Sequence, residues 1–220
     1  MIEAHLLMRI PLLSQVPEAE LQQLGTLLRE RKVTKGSYIV YAQDPGPSIM
    51  FVHEGRVKIN LLSDDGKEVV LANLGEGEFF GELAVLTGEE RSANVVAVTD
   101  VKLLVLDAED FNRHVLSHSG LAMAMLKELA VRLRASTAKI GDLALYDVYR
   151  RVARTLKSLG ISEIKEGREV SIIADRPTHQ ELAAMVGTSR EMVTRALKGL
   201  EEDGCIIIDG KRIEVRKLPL

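Results

Sequence analysis

The 220-residue chain has room for two compact domains of roughly 100 residues each, and 46% hydrophobic with 28% charged residues suits a globular chain with a core. That composition excludes a disordered chain, a collagenous one and a coiled-coil rod, and no run approaches the ~20 apolar residues of a membrane-spanning helix. The single cysteine, Cys205, leaves no internal disulfide framework and no four-cysteine zinc or iron–sulfur site, which points to the reducing cytoplasm. The opening stretch to Leu13 carries His5 and Arg9 and no small-residue cleavage site, so it does not read as a signal peptide. The net charge of −3 conceals an asymmetry. Residues 1–137 hold 14 Lys and Arg against 19 Asp and Glu, whereas residues 138–220 hold 15 against 13. A basic carboxy-terminal part can approach a polyanion that the acidic part repels.

In chain order, Pro17 with Glu18 and Glu20 marks a helix start, and Leu21, Leu24 and Leu28 give that helix an apolar face. From Lys32 to Asp107 the pattern becomes strand-like. Short apolar runs (37–41, 49–53, 57–62, 69–74, 93–98 and 102–106) alternate with glycines, which predicts an all-β roll or barrel. Asp65-Gly66 predicts a hairpin turn of the primed type. Asp107 and Asp110 are expected to cap a short helix to about Leu116, and a longer helix follows from about Ser119 to Ala144. There Leu126, Leu129, Leu133, Ser136, Ile140 and Leu143 are spaced as a coiled-coil seam, and a helix of this length needs a partner. Asp147 opens another helix, which is expected to end on a glycine C-cap at Gly160.

Two capping boxes then stand ten residues apart, Thr178-His-Gln-Glu181 and Thr188-Ser-Arg-Glu191, with Gly187 suited to a left-handed turn between their helices. Leu182, Ala183, Val186, Met192 or Val193, and Ala196 supply the contacts that lock the two helices. An Asp209-Gly210 hairpin follows. This is a helix-turn-helix with a wing, whose second helix enters a DNA major groove. Arg190, Glu191 and Arg195 begin that helix. Arginine can donate twice to guanine and glutamate can accept from cytosine N4, while Lys198, Lys211 and Arg212 are available for phosphates.

The other constellation is Phe79-Phe-Gly81-Glu82-Leu83 with Arg91-Ser92-Ala93. Gly81 admits close backbone approach, Arg91 can clamp a phosphate, and Ser92 adds a donor. Glu82 suits a ribose hydroxyl and balances Arg91. A phosphate beside a ribose describes a nucleotide, although a surface ion pair in a β-roll has the same ingredients. Gly75-Glu-Gly77 is only a turn. In the leucine seam, Ser136 and Thr137 either bond a nucleobase edge or set the helix register.

These segments together resemble the CRP/FNR superfamily of bacterial transcription regulators, and within it the cyclic-AMP receptor type. The resemblance runs over about residues 10–217. It is carried by Phe80-Gly-Glu-Leu83 with Arg91-Ser-Ala93, by Ser136 to Ala144 with Asp147-Val148, and by Thr178 to Leu182 with Gly187 to Val193. It implies an α+β chain with three parts: a cyclic-nucleotide-binding β-roll (1–118), a dimerisation helix and hinge (119–146), and a winged helix-turn-helix (147–220). It implies a homodimer whose effector is cyclic AMP, with no catalytic cofactor and no metal. Gly81, Glu82, Leu83, Arg91 and Ser92 would hold phosphate and ribose, with Arg132 adding charge near the phosphate. Ser136 and the partner subunit's Thr137 would meet the base. The DNA contacts implied are Thr178, Ser189, Arg190, Glu191, Arg195 and Lys198, on an inverted repeat of half-sites similar to TGTGA. RNA polymerase is a further implied partner, with Ser63-Asp64-Asp65 and the loop near 163–168 loosely similar to its contact regions. The chain departs from the cyclic-AMP type in the order Ser136-Thr137, in the bulk of Leu145-Tyr146-Asp147-Val148-Tyr149, and near Asn73 and Leu74. Cyclic GMP, cyclic di-GMP or no ligand therefore stay open as alternatives.

Two other classes fit less well. A nucleotide-binding module of a kinase or channel would need a fused effector, where residues 178–217 encode a winged helix. An enzyme would need a nucleophile–base or metal set, and His5, His53, His114, His118 and His179 are dispersed.

Overall fold

The computed structural model describes all residues except 1, 15, 47, 118, 166, 167 and 217–220. The first part contains α1 (Ala4–Leu7), α2 (Glu18–Leu27), β1 (Arg29–Val33), β2 (Tyr38–Val40), β3 (Ser48–Glu54), β4 (Val57–Leu62), β5 (Glu68–Leu74), β6 (Phe79–Phe80), α3 (Glu82–Thr87), β7 (Asn94–Ala97), β8 (Val101–Asp107), α4 (Ala108–Ser117) and α5 (Ser119–Leu145). It is followed by α6 (Val148–Leu159), β9 (Ile161–Lys165), β10 (Arg168–Ile173), α7 (His179–Val186), α8 (Arg190–Glu202), β11 (Ile206–Asp209) and β12 (Arg212–Val215). Two compact units result, Met1–Leu61 with Val70–Arg134, and Leu62–Val69 with Ala135–Leu220, so the division falls inside α5.

In the first unit, antiparallel sheets ordered β1-β8-β3-β6 and β2-β7-β4-β5 form the roll. Alternate residues of β3 serve two cores. Ile49 and Phe51 join Leu7, Leu13, Leu21, Phe111, Leu121 and Met125 under the helices, while Met50 and Val52 join Val57, Phe80, Val95 and Leu103 between the sheets. A strand covered on both faces shows a continuous apolar run instead of alternation, which is how β3 reads.

Several local expectations are corrected. Pro17 is the N-cap of α2, not its first residue. Asp107, the last residue of β8, stands directly before α4 where the helix start was expected, and its carboxylate also accepts from Arg29 Nη2 at 2.6 and 2.8 Å. The Asp65-Gly66 turn is not primed, since Gln43 is the one non-glycine at positive φ among the described residues. Instead Gly66 N donates to Ser63 O, and left-handed Gly66 leads to the Ser63–Lys67 closing bond, the three-residue bulged hairpin. At the wing, Asp209 pairs with Arg212, so the tip residues are Gly210 and Lys211. Gly160 caps α6 with extended backbone (φ −77, ψ 140), and it is glycine because an added Cβ would overlap Ser171 Oγ.

In the second unit, Val152, Leu156, Leu182, Val186, Val193, Leu197 and Leu200 bring α6, α7 and α8 together over a sheet ordered β11-β12-β10-β9. Val193 is the buried member of the Met192/Val193 pair. Along α5, Leu121 and Met125 are buried, whereas the seam residues Leu126, Leu133, Ile140 and Leu143 are exposed.

Candidate functional site

Gly81 leaves β6 in the left-handed region (φ 87, ψ 1) and is the N-cap of α3. A Cβ there would overlap Arg91 Nη1 and lie 2.7 Å from Ser48 O, so only glycine fits. Gly46 leaves room for the same guanidinium, since an added Cβ would lie 2.8 Å from Arg91 Nε. Arg91 is only 5% exposed. Its Nη1 donates to Gly81 O at 3.2 Å and its Nη2 to Ser48 Oγ at 3.0 Å, while the buried Nε–H has no partner among the described residues. Burial pulls the Arg91 pKa down, opposed by the charges of Asp44 and Glu82. A desolvated cation with an unused N–H is suited to a bound anion.

Glu82, 6% exposed, has Arg132 as its direct partner, at 3.0 Å from Nη1, so its balance of Arg91 acts at longer range than expected. Arg132 is itself committed. Nη2 donates to Phe79 O at 2.8 Å, Nε to Glu128 Oε1 at 3.0 Å, and the guanidinium lies 4.3 Å over the Phe79 ring. It therefore positions Glu82 and the end of β6, a role that sequence spacing did not reveal. Leu83 and Ser92 are exposed. Ser136 and Thr137 are exposed on the part of α5 that belongs to the second unit.

In the helix pair, the Thr178 capping box forms in full: Thr178 Oγ1 accepts from Glu181 N at 3.2 Å, and Glu181 Oε2 accepts from Thr178 N at 2.8 Å. Gly187 makes the left-handed turn (φ 72, ψ 53). The second box does not form as expected. The N-cap is Ser189, one residue after Thr188, and its Oγ accepts from Met192 N at 3.3 Å. Arg190, Glu191, Arg195 and Lys198 are exposed on α8. The Glu191 carboxyl is held below its usual range by its own backbone N–H, by the Ser189 hydroxyl, and by Arg190 and Arg195. It stays an anion at neutral pH, the form that accepts from cytosine. Three cations assigned to phosphates have acidic neighbours: Lys198 with Glu202 at 3.6 Å, Lys211 with Asp175 at 3.5 Å and Arg212 with Glu163 at 3.5 Å. These pairs are exposed and readily exchanged.

Sequence reasoning missed Arg151. Nη1 donates to Tyr146 O at 2.9 Å and Nε to Val186 O at 3.2 Å, and Nη2 reaches Gly187 O at 3.4 Å. One guanidinium thus ties the segment before α6 to the turn between α7 and α8. Asp147 caps α6 by accepting from Arg150 N at 2.9 Å. His118 and most of the 163–168 loop's detail lie outside the described side chains. No group of three or more His, Cys, Asp or Glu among the described residues could hold a metal, and none of the described helices is long and apolar enough to cross a membrane.

A β-roll with a buried arginine cradle, followed by a helix pair with a wing, defines a protein that joins a small anionic ligand site to a DNA-reading unit. Comparison with known families agrees: residues 30–118 match the cyclic nucleotide-binding domain and residues 150–219 the Crp-like helix-turn-helix domain. The chain is 37% identical over 207 residues to the Pseudomonas aeruginosa cAMP-activated global transcriptional regulator Vfr, covering 89% of this chain and 94% of that protein. It is 33% identical over 213 residues to the Thermus thermophilus cyclic AMP receptor protein, covering 96% and 94%. Among solved structures it resembles the c-di-GMP responsive global regulator CLP of Xanthomonas campestris, with a TM-score of 0.76 and 27% identity over 90% of this chain and 99% of that one. The chain belongs to the CRP/FNR superfamily of transcription regulators. It is a DNA-binding regulator with a cyclic nucleotide-binding domain.

Proposed function

We propose that the chain is a homodimeric, cytoplasmic regulator whose effector is cyclic AMP. The observation that carries this is the Arg91 guanidinium, buried, given room by two glycines, and left with an Nε–H that has no partner among the described residues. In this reading Gly81, Arg91 and Ser92 hold the cyclic phosphate, Glu82 accepts the ribose hydroxyl, and Leu83 borders the sugar. Arg132 acts through Glu82. Ser136 and the partner subunit's Thr137 meet the base. The exposed leucine seam of α5 supports pairing of two copies, since apolar residues at coiled-coil spacing gain from mutual burial. The working division is a β-roll over 1–118, a dimerisation helix and hinge over 119–146, and a reading unit over 147–220. Arg190, Glu191 and Arg195 read half-sites similar to TGTGA in an inverted repeat, with Thr178, Ser189 and Lys198 on the backbone, and RNA polymerase is the downstream partner.

Cyclic nucleotide binding favours one arrangement of two α5 helices, and hence one spacing of the reading helices, about one DNA turn or ~34 Å. The ligand shifts that equilibrium only by its differential affinity for the two arrangements. Calorimetric titration of wild type and Arg91→Gln with cyclic AMP, cyclic GMP and cyclic di-GMP tests the assignment. Cyclic AMP should bind wild type most tightly and the variant weakly. Cyclic di-GMP as the tight ligand would favour the behaviour of the Xanthomonas relative, and equal binding to wild type and variant would remove Arg91 from the site.

A further inference from the structure

We propose that His179 is a protonation-linked contact to the DNA backbone, taking up a proton as the helix pair docks on a duplex. This rests on the DNA-reading assignment of α8 made above. Thr194 Oγ1 donates to Arg190 O at 3.0 Å, which uses its only hydrogen. The His179 Nδ1 atom lies 2.8 Å from that same oxygen, so the tautomer that satisfies both contacts at once carries its hydrogen on Nδ1. The ring's other nitrogen, Nε2, is then a bare acceptor in the neutral form and a donor only in the protonated one.

His179 is the first residue of α7, the helix that crosses the DNA backbone in units of this kind, and Thr194 ties its ring to the row on α8 that begins with Arg190. A neutral Nε2 would point a lone pair at a phosphate; an imidazolium would donate to it. The charged groups acting on the ring are both cations: Arg176 from the segment before α7, and Arg190 from the first turn of α8. On its own helix, Glu181 is engaged by the Thr178 cap, and the helix start is itself positive. Burial first, and then the charges of Arg176 and Arg190, hold the ring below the usual histidine range in the free protein. A phosphate seated beside Arg176, Arg190 and the ring reverses that balance and favours the imidazolium.

The linkage is reciprocal, so if docking raises proton affinity, protons raise DNA affinity. Between the depressed free value and the raised bound one, affinity should fall as pH rises, by up to roughly tenfold per pH unit for each subunit. Below the first and above the second, the dependence vanishes.

The test uses the full-length protein saturated with cyclic AMP and a labelled inverted-repeat duplex, followed by fluorescence anisotropy across roughly pH 5.5 to 8 at fixed ionic strength. Wild type should lose affinity with rising pH, and His179→Gln, which can keep a donor to Thr194 but cannot be charged, should flatten that slope. A slope of equal size in both proteins, or none in wild type, overturns the proposal. Binding of no duplex at any pH overturns the reading-helix assignment with it. Nitrogen-15 NMR of the wild-type histidines gives a check free of any folding defect: it should report Nδ1–H in the free protein and a doubly protonated ring at neutral pH on DNA. A ring still neutral on DNA refutes the idea.

Discussion

Gly81 and Gly88 bracket α3, and both hold left-handed backbone, at φ +87 and +73. Alanine at either position carries the cost of an L side chain there, about 1–2 kcal/mol. At Gly88 an added Cβ meets nothing within 4 Å, so the cost should stop at that. At Gly81 it overlaps Arg91 Nη1 and comes within 2.7 Å of Ser48 O. Arg91 can swing away only by losing Gly81 O and Ser48 Oγ, and Ser48 O is backbone of a strand paired with β8. Overpacking of this sort adds about 1–3 kcal/mol. Gly81→Ala should therefore lower stability by about 2–5 kcal/mol, and Gly88→Ala by about 1–2 kcal/mol. At ~2–4 °C per kcal/mol the first should melt several degrees below the second. Thermal unfolding followed by circular dichroism reads the stability difference, and calorimetry with cyclic AMP reads the displaced guanidinium. Equal melting losses for both variants, or unchanged cyclic AMP affinity in Gly81→Ala, would refute the reasoning.

Three further outcomes follow from the geometry. Leu133→Asp with Ile140→Asp charges the exposed seam of α5, removing apolar burial of about 1.5–3 kcal/mol per side chain, and sedimentation velocity should show monomers where wild type is dimeric; an unchanged sedimentation coefficient would exclude the seam as the interface. Gly160→Ala drives a methyl into Ser171 Oγ and should cost about 1–3 kcal/mol in urea unfolding, most of it recovered when Ser171→Gly is added; additive losses in the double variant would contradict the contact. Arg190→Ala should cost about 1–3 kcal/mol at one base position in a panel of half-site duplexes, whereas equal weakening on every sequence would mark a phosphate contact.

The sequence carried its punctuation well. Gly187, the Thr178 box and the Asp147 cap are legible because each satisfies a local backbone requirement within four residues. Strands β1 and β6 were not: β1 reads Arg-Glu-Arg-Lys-Val and is exposed along nearly all its length, and β6 is two phenylalanines. Both exist through pairing with β8 and β3, distant in sequence. Turn type was legible only in part, because the glycine is visible while the conformation of its neighbour depends on strand register. Gly81, Glu82 and Arg91 were singled out in the sequence, but Gly46, Ser48 and the charge pairing were not. Glu82 and Arg132 stand fifty residues apart and meet at 3.0 Å, so only the fold reveals that Arg132, and not Arg91, is the direct partner. Arg151 was silent for the same reason, since three backbone carbonyls leave no residue-type signature.

The coupling between the ligand site and DNA is tested most directly by anisotropy of an inverted-repeat duplex titrated with full-length protein, with and without cyclic AMP, for wild type and Arg91→Gln. Wild type should bind the duplex markedly more tightly once cyclic AMP is present, and the variant should stay at its ligand-free affinity whatever nucleotide is added. Identical wild-type binding curves with and without cyclic AMP, or a full cyclic AMP response in the variant, would contradict the account.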